Sequence, residues 1–298
     1  MYWTHNLNPV VLSFGRLTIR WYGLMYLLGF ILGYKHYVFR YRRGLFSLNP
    51  EHTQNLITYI MIGMMIFARL TYVVVYNPMY YWAHPSEIPA IWQGGLSFHG
   101  AAIGFILAVY LYGRRHGFTF YQIMDSTVFG AAQGIIWGRI GNFINGELPG
   151  RVSDVPWAMI FPDSGGLPRH PSQLYQSFCE GFLVFVSLYL IERYERKNGY
   201  APDPVKISAE AADPKKKKVM VEWKRTGVIS TWFLILYGLA RFTIEFFREP
   251  DSQLGYFFGW MTMGQILCLL MMIAGIILLT KVIRKPLPVT YEYEGAGT

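Results

Sequence analysis

Residues Phe129-Gly130-Ala131-Ala132-Gln133-Gly134-Ile135-Ile136-Trp137 run directly into Gly138-Arg139-Ile140-Gly141-Asn142-Phe143-Ile144-Asn145-Gly146-Glu147-Leu148-Pro149-Gly150-Arg151. Within a few positions an apolar run becomes dense in glycine, carboxamide and charge. Two arginines, two asparagines, one glutamate and four glycines pack badly, whereas glycine lets backbone come close to a ligand. If the apolar run lies in lipid, these polar groups need partners, because hydrocarbon supplies none.

Composition says that lipid is the right solvent. The 298 residues are 53% hydrophobic, 17% aromatic and 15% charged, against roughly 25% charged in soluble domains. Mean hydropathy is +0.24, which places the chain among polytopic membrane proteins. A formal charge of +9 would suit nucleic acid, but the basic residues stand beside apolar segments, the pattern of a cytoplasmic membrane face. Nucleic acid is therefore excluded as a partner. Cys179 and Cys268 lie inside apolar runs, so neither a disulfide framework nor a metal cluster is expected. Residues 1–18 lack the basic start, apolar core and small-residue site of a removable signal peptide.

A segment of about 20 apolar residues crosses a bilayer, and seven runs qualify: 19–39, 55–75, 96–112, 121–140, 173–191, 228–247 and 260–280. Arg40, Arg42 and Arg43 follow the first, Arg114 and Arg115 the third, and Lys281, Arg284 and Lys285 the seventh. The basic ends agree at alternate crossings. The expected fold is an all-α polytopic membrane protein with about seven transmembrane helices, N-terminus outside and C-terminus cytoplasmic. One integral-membrane domain, 1–298, is expected. Within it 192–226, with Pro202, Pro204, Pro214 and Lys215 to Lys218, reads as a flexible basic cytoplasmic loop.

In this topology Arg69, His99, Arg139, Asn142, Glu147, His170, Gln173, Arg241 and Glu245 all fall near the outer half of the membrane or its external loops. Ionisable residues at that depth are costly and are functional candidates. Arg241 and Glu245 stand one turn apart and can pair. Arg139 has no acid within its own helix, and an unpaired guanidinium at membrane depth suits an anionic, phosphate-like ligand. His99, in Gly94-Gly95-Leu96-Ser97-Phe98-His99-Gly100, is either a helix-end group or a site residue set among glycines. In Arg169-His170-Pro171-Ser172-Gln173-Leu174-Tyr175, Ser172 or Gln173 can satisfy free amides at a helix entrance. Glu180, deeper in the same run, needs a polar partner in the bundle.

The stretch 138–151 resembles the signature of the bacterial prolipoprotein diacylglyceryl transferases, matching Gly-Arg-x-Gly-Asn-Phe-x-Asn-x-Glu-x-x-Gly throughout. The resemblance extends to Arg20-Trp21-Tyr22-Gly23-Leu24-Met25-Tyr26, to 94–100, to 169–175 and to Tyr237-Gly238-x-x-Arg241-Phe242-x-x-Glu245. Ala101 and Thr71 depart from it where glycine is usual, and the loop around Lys215 lies outside it. The resemblance implies transfer of the diacylglyceryl group of phosphatidylglycerol to the lipobox cysteine of a prolipoprotein, at the periplasmic side of the bacterial cytoplasmic membrane. Such a reaction needs cations on the departing phosphate and an acceptor for the thiol proton. Arg139 and Arg241 fit the first need, with Asn142 and Asn145 as neutral donors. His99 is the candidate base; Glu147 can take that role or orient an arginine. Tyr26, Arg69, Gly150, His170, Gln173, Tyr237 and Glu245 are expected to support substrate binding, Tyr26 and Tyr237 by reaching head groups and Gly150 by allowing a tight turn. No zinc, phosphate-loop or magnesium motif occurs, so no metal and no cofactor are implied.

Two other classes fit parts of the pattern. An anionic-lipid transporter would also set arginines at membrane depth, although no inverted repeat is visible. A serine hydrolase using Ser97 and His99 lacks the usual nucleophile elbow, and residues two apart on a helix do not face each other.

Overall fold

The computed structural model describes residues 2–15, 17–162, 164–211, 219–249, 257 and 260–293. Pro250, Asp251 and the Lys215 to Lys218 run lie outside the described residues. The chain is mostly helical, and each apolar run is occupied by helix. These helices are α1 (Trp21–Arg42), α2 (Pro50–Thr71), α4 (Phe98–His116), α5 (Phe120–Asn145), α9 (Val228–Ile244) and α10 (Met263–Arg284), together with one rod built of α6 (Ser172–Gln176), a π-helical stretch Ser177–Leu183 and α7 (Val184–Lys197). Short helices α3 (Pro78–Ala83) and α8 (Pro204–Ala211) lie between them. Among the described residues three helices are long and apolar enough to cross a membrane, Pro50–Tyr76, Ser172–Lys197 and Met263–Arg284. Leu270, Ile273, Ile276 and Ile277 on α10 are exposed, a surface that suits lipid and not water.

The chain divides into two compact units, residues 46–124 and residues 1–45 with 125–298. In the first of these, α2 and α4 cross tightly: a Cβ at Gly63 would lie 2.9 Å from the Gly104 carbonyl oxygen. Small residues at such a crossing let backbones approach where no hydrophobic force drives helices together. Asn49 caps α2 by accepting from His52 N at 2.8 Å, ahead of Pro50. Ser97 caps α4 by accepting from Gly100 N at 3.3 Å.

In the other unit, strands β1 (Trp3–Thr4), β4 (Met159–Ile160) and β5 (Pro168–Arg169) form one small sheet, and β2 (Val10–Phe14) with β3 (Leu17–Arg20) a hairpin leading into α1. Thr262 and Gln265 form a reciprocal capping box at the start of α10. Helix α9 follows Gly227 and has no cap of its own. A fully buried carboxylate from α5 replaces it: Asp125 accepts from Gly227 N at 2.5 Å and Ser230 N at 2.7 Å.

The described parts of 192–226, residues 192–211 and 219–226, contain regular secondary structure. Helix α7 runs on to Lys197, α8 follows, and strand β6 (Val219–Trp223) pairs antiparallel with β7 (Val289–Tyr293) near the end of the chain. Ile207, Val219, Val221 and Tyr293 bury a small core there. Its alternating pattern is masked in the sequence by the neighbouring prolines and lysines. The sheet grips α1, since the Tyr293 hydroxyl donates to Arg42 O at 2.6 Å and the Tyr291 hydroxyl to Gly44 O at 2.5 Å. Close by, buried Arg40 pairs with Glu192 through two contacts of 2.5 and 2.9 Å.

Substituting Asp125→Ala strips two buried amides of their acceptor. Each such group costs ~1–3 kcal/mol, so a clear fall in the thermal unfolding midpoint of detergent-purified protein is expected. An unchanged midpoint would show that these amides do not depend on Asp125.

Candidate active site

Helix α5 does not stop at 140 but continues through Asn145, so Asn142 and Asn145 stand on its last turns and not in an external loop. Two glycines explain how it continues. A Cβ at Gly141 would lie 3.1 Å from the Tyr22 ring, and one at Gly138 would lie 3.5 Å from the Tyr26 hydroxyl, so α1 packs on the glycine face. The Tyr22 hydroxyl donates to Tyr26 at 3.1 Å. Arg139, half-buried, makes no side-chain hydrogen bond or ion pair with a described residue. Its charge acts on Tyr22, Glu180 and Tyr237.

After α5 the backbone turns sharply. Gly146 and Leu148 both have positive φ, and Leu148, at 54°, is the one non-glycine to do so among the described residues; such a conformation is held only when its surroundings enforce it. Two side chains from the entrance of α6 do so. Ser172 Oγ donates to Leu148 O at 3.1 Å and Gln173 Nε2 to Glu147 O at 2.5 Å. Neither residue caps its own helix as expected; the cap position is Pro171, which has no side-chain cap bond. The Glu147 carboxylate accepts from Asn142 Nδ2 at 3.2 Å and Asn145 Nδ2 at 3.1 Å. Both amides therefore turn toward Glu147, the nearest strong acceptor past the helix end, where the sequence suggested donors to a ligand.

Gly150 differs in a similar way. Its φ is not positive, and what it permits is close approach: a Cβ there would lie 2.8 Å from His170 Cβ and 2.9 Å from His170 O. Gly150 N donates to His170 O at 2.8 Å, His170 N to Arg151 O at 3.0 Å, and Arg151 N to Phe247 O at 2.9 Å. The glycine lets one backbone slide between two others. His170 Nδ1 lies 3.2 Å from the Tyr175 hydroxyl, and the ring stands edge-on to Phe247. Burial lowers its pKa, so the imidazole is neutral at pH 7.

The second arginine stands on α9. Arg241 and Glu245 form the close intrahelical ion pair that their spacing allows. Arg241 Nη1 also lies 3.9 Å from Glu180, and Arg248 Nη1 3.7 Å from Glu245. Thr262 Oγ1 donates to Glu245 at 3.2 Å. Tyr237, one turn before Arg241, stacks on Phe233 and lies within electrostatic reach of Glu180, Arg241 and Arg139.

Arg69 and His99 belong to the 46–124 unit. Arg69 is buried, and its guanidinium donates to the carbonyls of Glu87, Ile88, Gly94 and Gly95 at 2.7–3.0 Å. These four donations brace the 77–97 loop. His99 is exposed in the first turn of α4. Ser97, the nucleophile of the hydrolase alternative, is buried as the cap of that helix.

The sequence profile described as prolipoprotein diacylglyceryl transferase matches residues 9–205 and 214–281. The chain belongs to the prolipoprotein diacylglyceryl transferase family. Relatives named phosphatidylglycerol–prolipoprotein diacylglyceryl transferase include one from Pseudomonas paraeruginosa, 43% identical over 94% of this chain and 95% of its own. Others are from Nitratidesulfovibrio vulgaris (strain DP4), 40% identical over 92% and 94%, and Methylococcus capsulatus, 41% identical over 92% and 94%. Within this diacylglyceryl transferase the structure adds residues that sequence reasoning passed over. Arg151 donates to Arg248 O at 2.9 Å and Glu245 O at 3.3 Å, binding the signature stretch to the end of α9. His5 is buried against Phe143 and Phe161, with Nε2 2.6 Å from Phe143 O. No local signal marks a histidine so near the start as a partner for a helix end 138 residues away. Among the described residues no three His, Cys, Asp or Glu side chains converge to hold a metal ion.

Removing the Arg69 guanidinium leaves four loop carbonyls without their donor. Arg69→Ala is expected to open the 77–97 loop to limited proteolysis and to lower the unfolding midpoint. A loss of lipid affinity with the loop still protected would instead mark Arg69 as a substrate contact.

Proposed function

We propose that Arg139 and Arg241 hold the phosphate of phosphatidylglycerol while its diacylglyceryl group passes to the cysteine thiol of a lipobox-containing prolipoprotein. The transfer itself follows from family membership. What supports the assignment of the two arginines is that both act on Glu180 and Tyr237, so two guanidiniums share one neighbourhood, and Arg139 there forms no bond with a described residue. A half-buried cation that no counter-ion bonds directly favours an anionic ligand.

In this reading the thiol gives its proton to a base and its sulfur attacks the glyceryl carbon bearing the phosphate. The carbon–oxygen bond breaks, and its electron pair leaves with glycerol phosphate, the new bond being a thioether. Atoms and charge balance with no redox partner, so we assign no cofactor and no metal. The arginines stabilise charge where it develops, on the leaving phosphate. Glu147, oriented by Asn142 and Asn145, and His99 are the two acceptors for the thiol proton, and His99 is the one we assign. Tyr26 and Tyr237 face the head group; Gln173, His170 and Gly150 hold the Glu147 turn in place. The seven apolar helices span the cytoplasmic membrane with the N-terminus outside, the C-terminus inside and the site toward the periplasm, in keeping with the basic ends of the first, third and seventh runs. Partners are phosphatidylglycerol, prolipoproteins and the bilayer, with no nucleic acid.

The test combines purified protein, phosphatidylglycerol micelles and a lipobox peptide, reading peptide mass and glycerol phosphate together. Stoichiometric appearance of both is expected. Arg139→Ala and Arg241→Ala should each lower kcat/KM by ~10²-fold or more, and a peptide Cys→Ser should give no product. Covalently unchanged peptide and lipid with folded protein would favour the transporter. For the base, the acid limb of the kcat/KM profile should vanish in His99→Gln; its persistence there and loss in Glu147→Gln would move the role to Glu147.

A further inference from the structure

Glu180 carries no role in the mechanism above, yet it is the most costly acid in its neighbourhood. It is fully buried, and neither carboxylate oxygen receives a hydrogen bond. It lies in the π-helical stretch Ser177–Leu183, a widened turn of the kind that re-aims side chains at functional sites. Its register is pinned against α5. Ser177 Oγ donates to Ile136 O at 3.0 Å, and a Cβ at Gly181 would lie 2.5 Å from Ile136 Cγ1. Ile136 is one turn before Arg139, which brings Glu180 to the depth of that guanidinium. The charges acting on Glu180 are those of Arg241, Arg139, Arg248 and Glu245. Arg241 already has its close counter-ion in Glu245, so pairing with Arg241 does not account for a second buried acid.

We infer that Glu180 is a specificity-determining counter-charge, lowering the positive potential at the phosphate so that the site holds the singly charged phosphodiester of the substrate and releases the doubly charged phosphomonoester of the product. The inference rests on the reading that Arg139 and Arg241 hold the lipid phosphate. Cleavage turns a diester with one negative charge into a monoester with a second ionisation near 6 and hence up to two. A ligand's interaction with a fixed potential scales with its charge, so any positive potential favours product over substrate. Three arginines alone would retain glycerol phosphate after every turnover. Among the described residues, ionised Glu180 and Glu245 against Arg139, Arg241 and Arg248 leave a single net positive charge, which one phosphodiester neutralises.

The experiment measures inhibition of transfer by glycerol phosphate and by its methyl diester at pH 8, in the full chain and in Glu180→Gln, Glu180→Met and Glu180→Asp. The neutral variants should tighten both inhibitors, the monoester by about the square of the factor for the diester. The ratio of the two inhibition constants should therefore move toward the monoester by at least about fivefold, with lower kcat and lower KM for phosphatidylglycerol. Glu180→Asp should keep a ratio near that of the parent. An unchanged ratio in a folded neutral variant overturns the inference, and so does failure of both neutral variants to fold, which would make the carboxylate part of the scaffold. If Arg139→Ala and Arg241→Ala leave transfer intact, it is the phosphate reading that fails; if they abolish it while the Glu180→Gln ratio stays put, only the counter-charge falls.

Discussion

The cost of placing a guanidinium away from water governs this molecule. Arg241 meets that cost within the protein, with Glu245 one turn along its own helix and Glu180 on the facing rod. Arg40 meets it with Glu192 and the face of Phe129. Arg69 meets it with four loop carbonyls. Arg139 departs from this pattern: it is half-buried, it sits beside α1 on a glycine-lined face, and its neighbours act on it from a distance without bonding to it. Among the described residues that guanidinium forms no bond, and the glycine face of α5 holds its helix against α1.

The scaffold does so through backbone more than through side chains. The signature stretch leaves α5, turns through Leu148 against its conformational preference, and inserts Gly150 between the backbones of His170 and Phe247. Ser172 and Gln173 hold the carbonyls of that turn, and Arg151 holds the carbonyls at the end of α9. Three segments far apart in the sequence are thereby tied by hydrogen bonds to backbone carbonyls. Glycine at 150 follows from the approach distance alone, since its own dihedrals are ordinary.

This distinction decides what the sequence made legible. Periodic, local and compositional signals were readable: the seven apolar runs coincide with helices, and the four-residue spacing of Arg241 and Glu245 becomes a real pair. Residues whose meaning depends on a distant partner were not. Nothing near Asp125 says that it caps a helix starting at Val228, and nothing near Arg69 says that its donors go to a loop 18 to 26 residues on. Asn142 and Asn145 look the same in sequence whether they face a phosphate or Glu147. In the 192–226 segment the prolines and lysines hide the alternation of Val219, Val221 and Trp223, buried, with Met220 and Glu222, exposed. Glu180 was visible as a membrane-depth acid, but its lack of hydrogen bonds is a fact of three dimensions.

Magnitudes explain why the arginines are easier to assign than the base. A free thiol with a pKa near 8.5 is already ~3% thiolate at pH 7, so complete deprotonation raises the nucleophile concentration by only ~30-fold, or ~2 kcal/mol at 1.4 kcal/mol per decade. Stabilising charge on a departing phosphate in a water-poor site is worth more, commonly a factor of ~10²–10³ for each donor removed. Arg241 is held by counter-ions beside a pinned π-helical turn, whereas His99 and Glu147, the two proposed proton acceptors, have exposed side chains. An exposed acceptor also suits a substrate that must arrive, react and leave as a thioether, since the proton it gives up is readily passed to water. On the proposed mechanism the phosphate needs the greater precision, since the larger share of the barrier falls there.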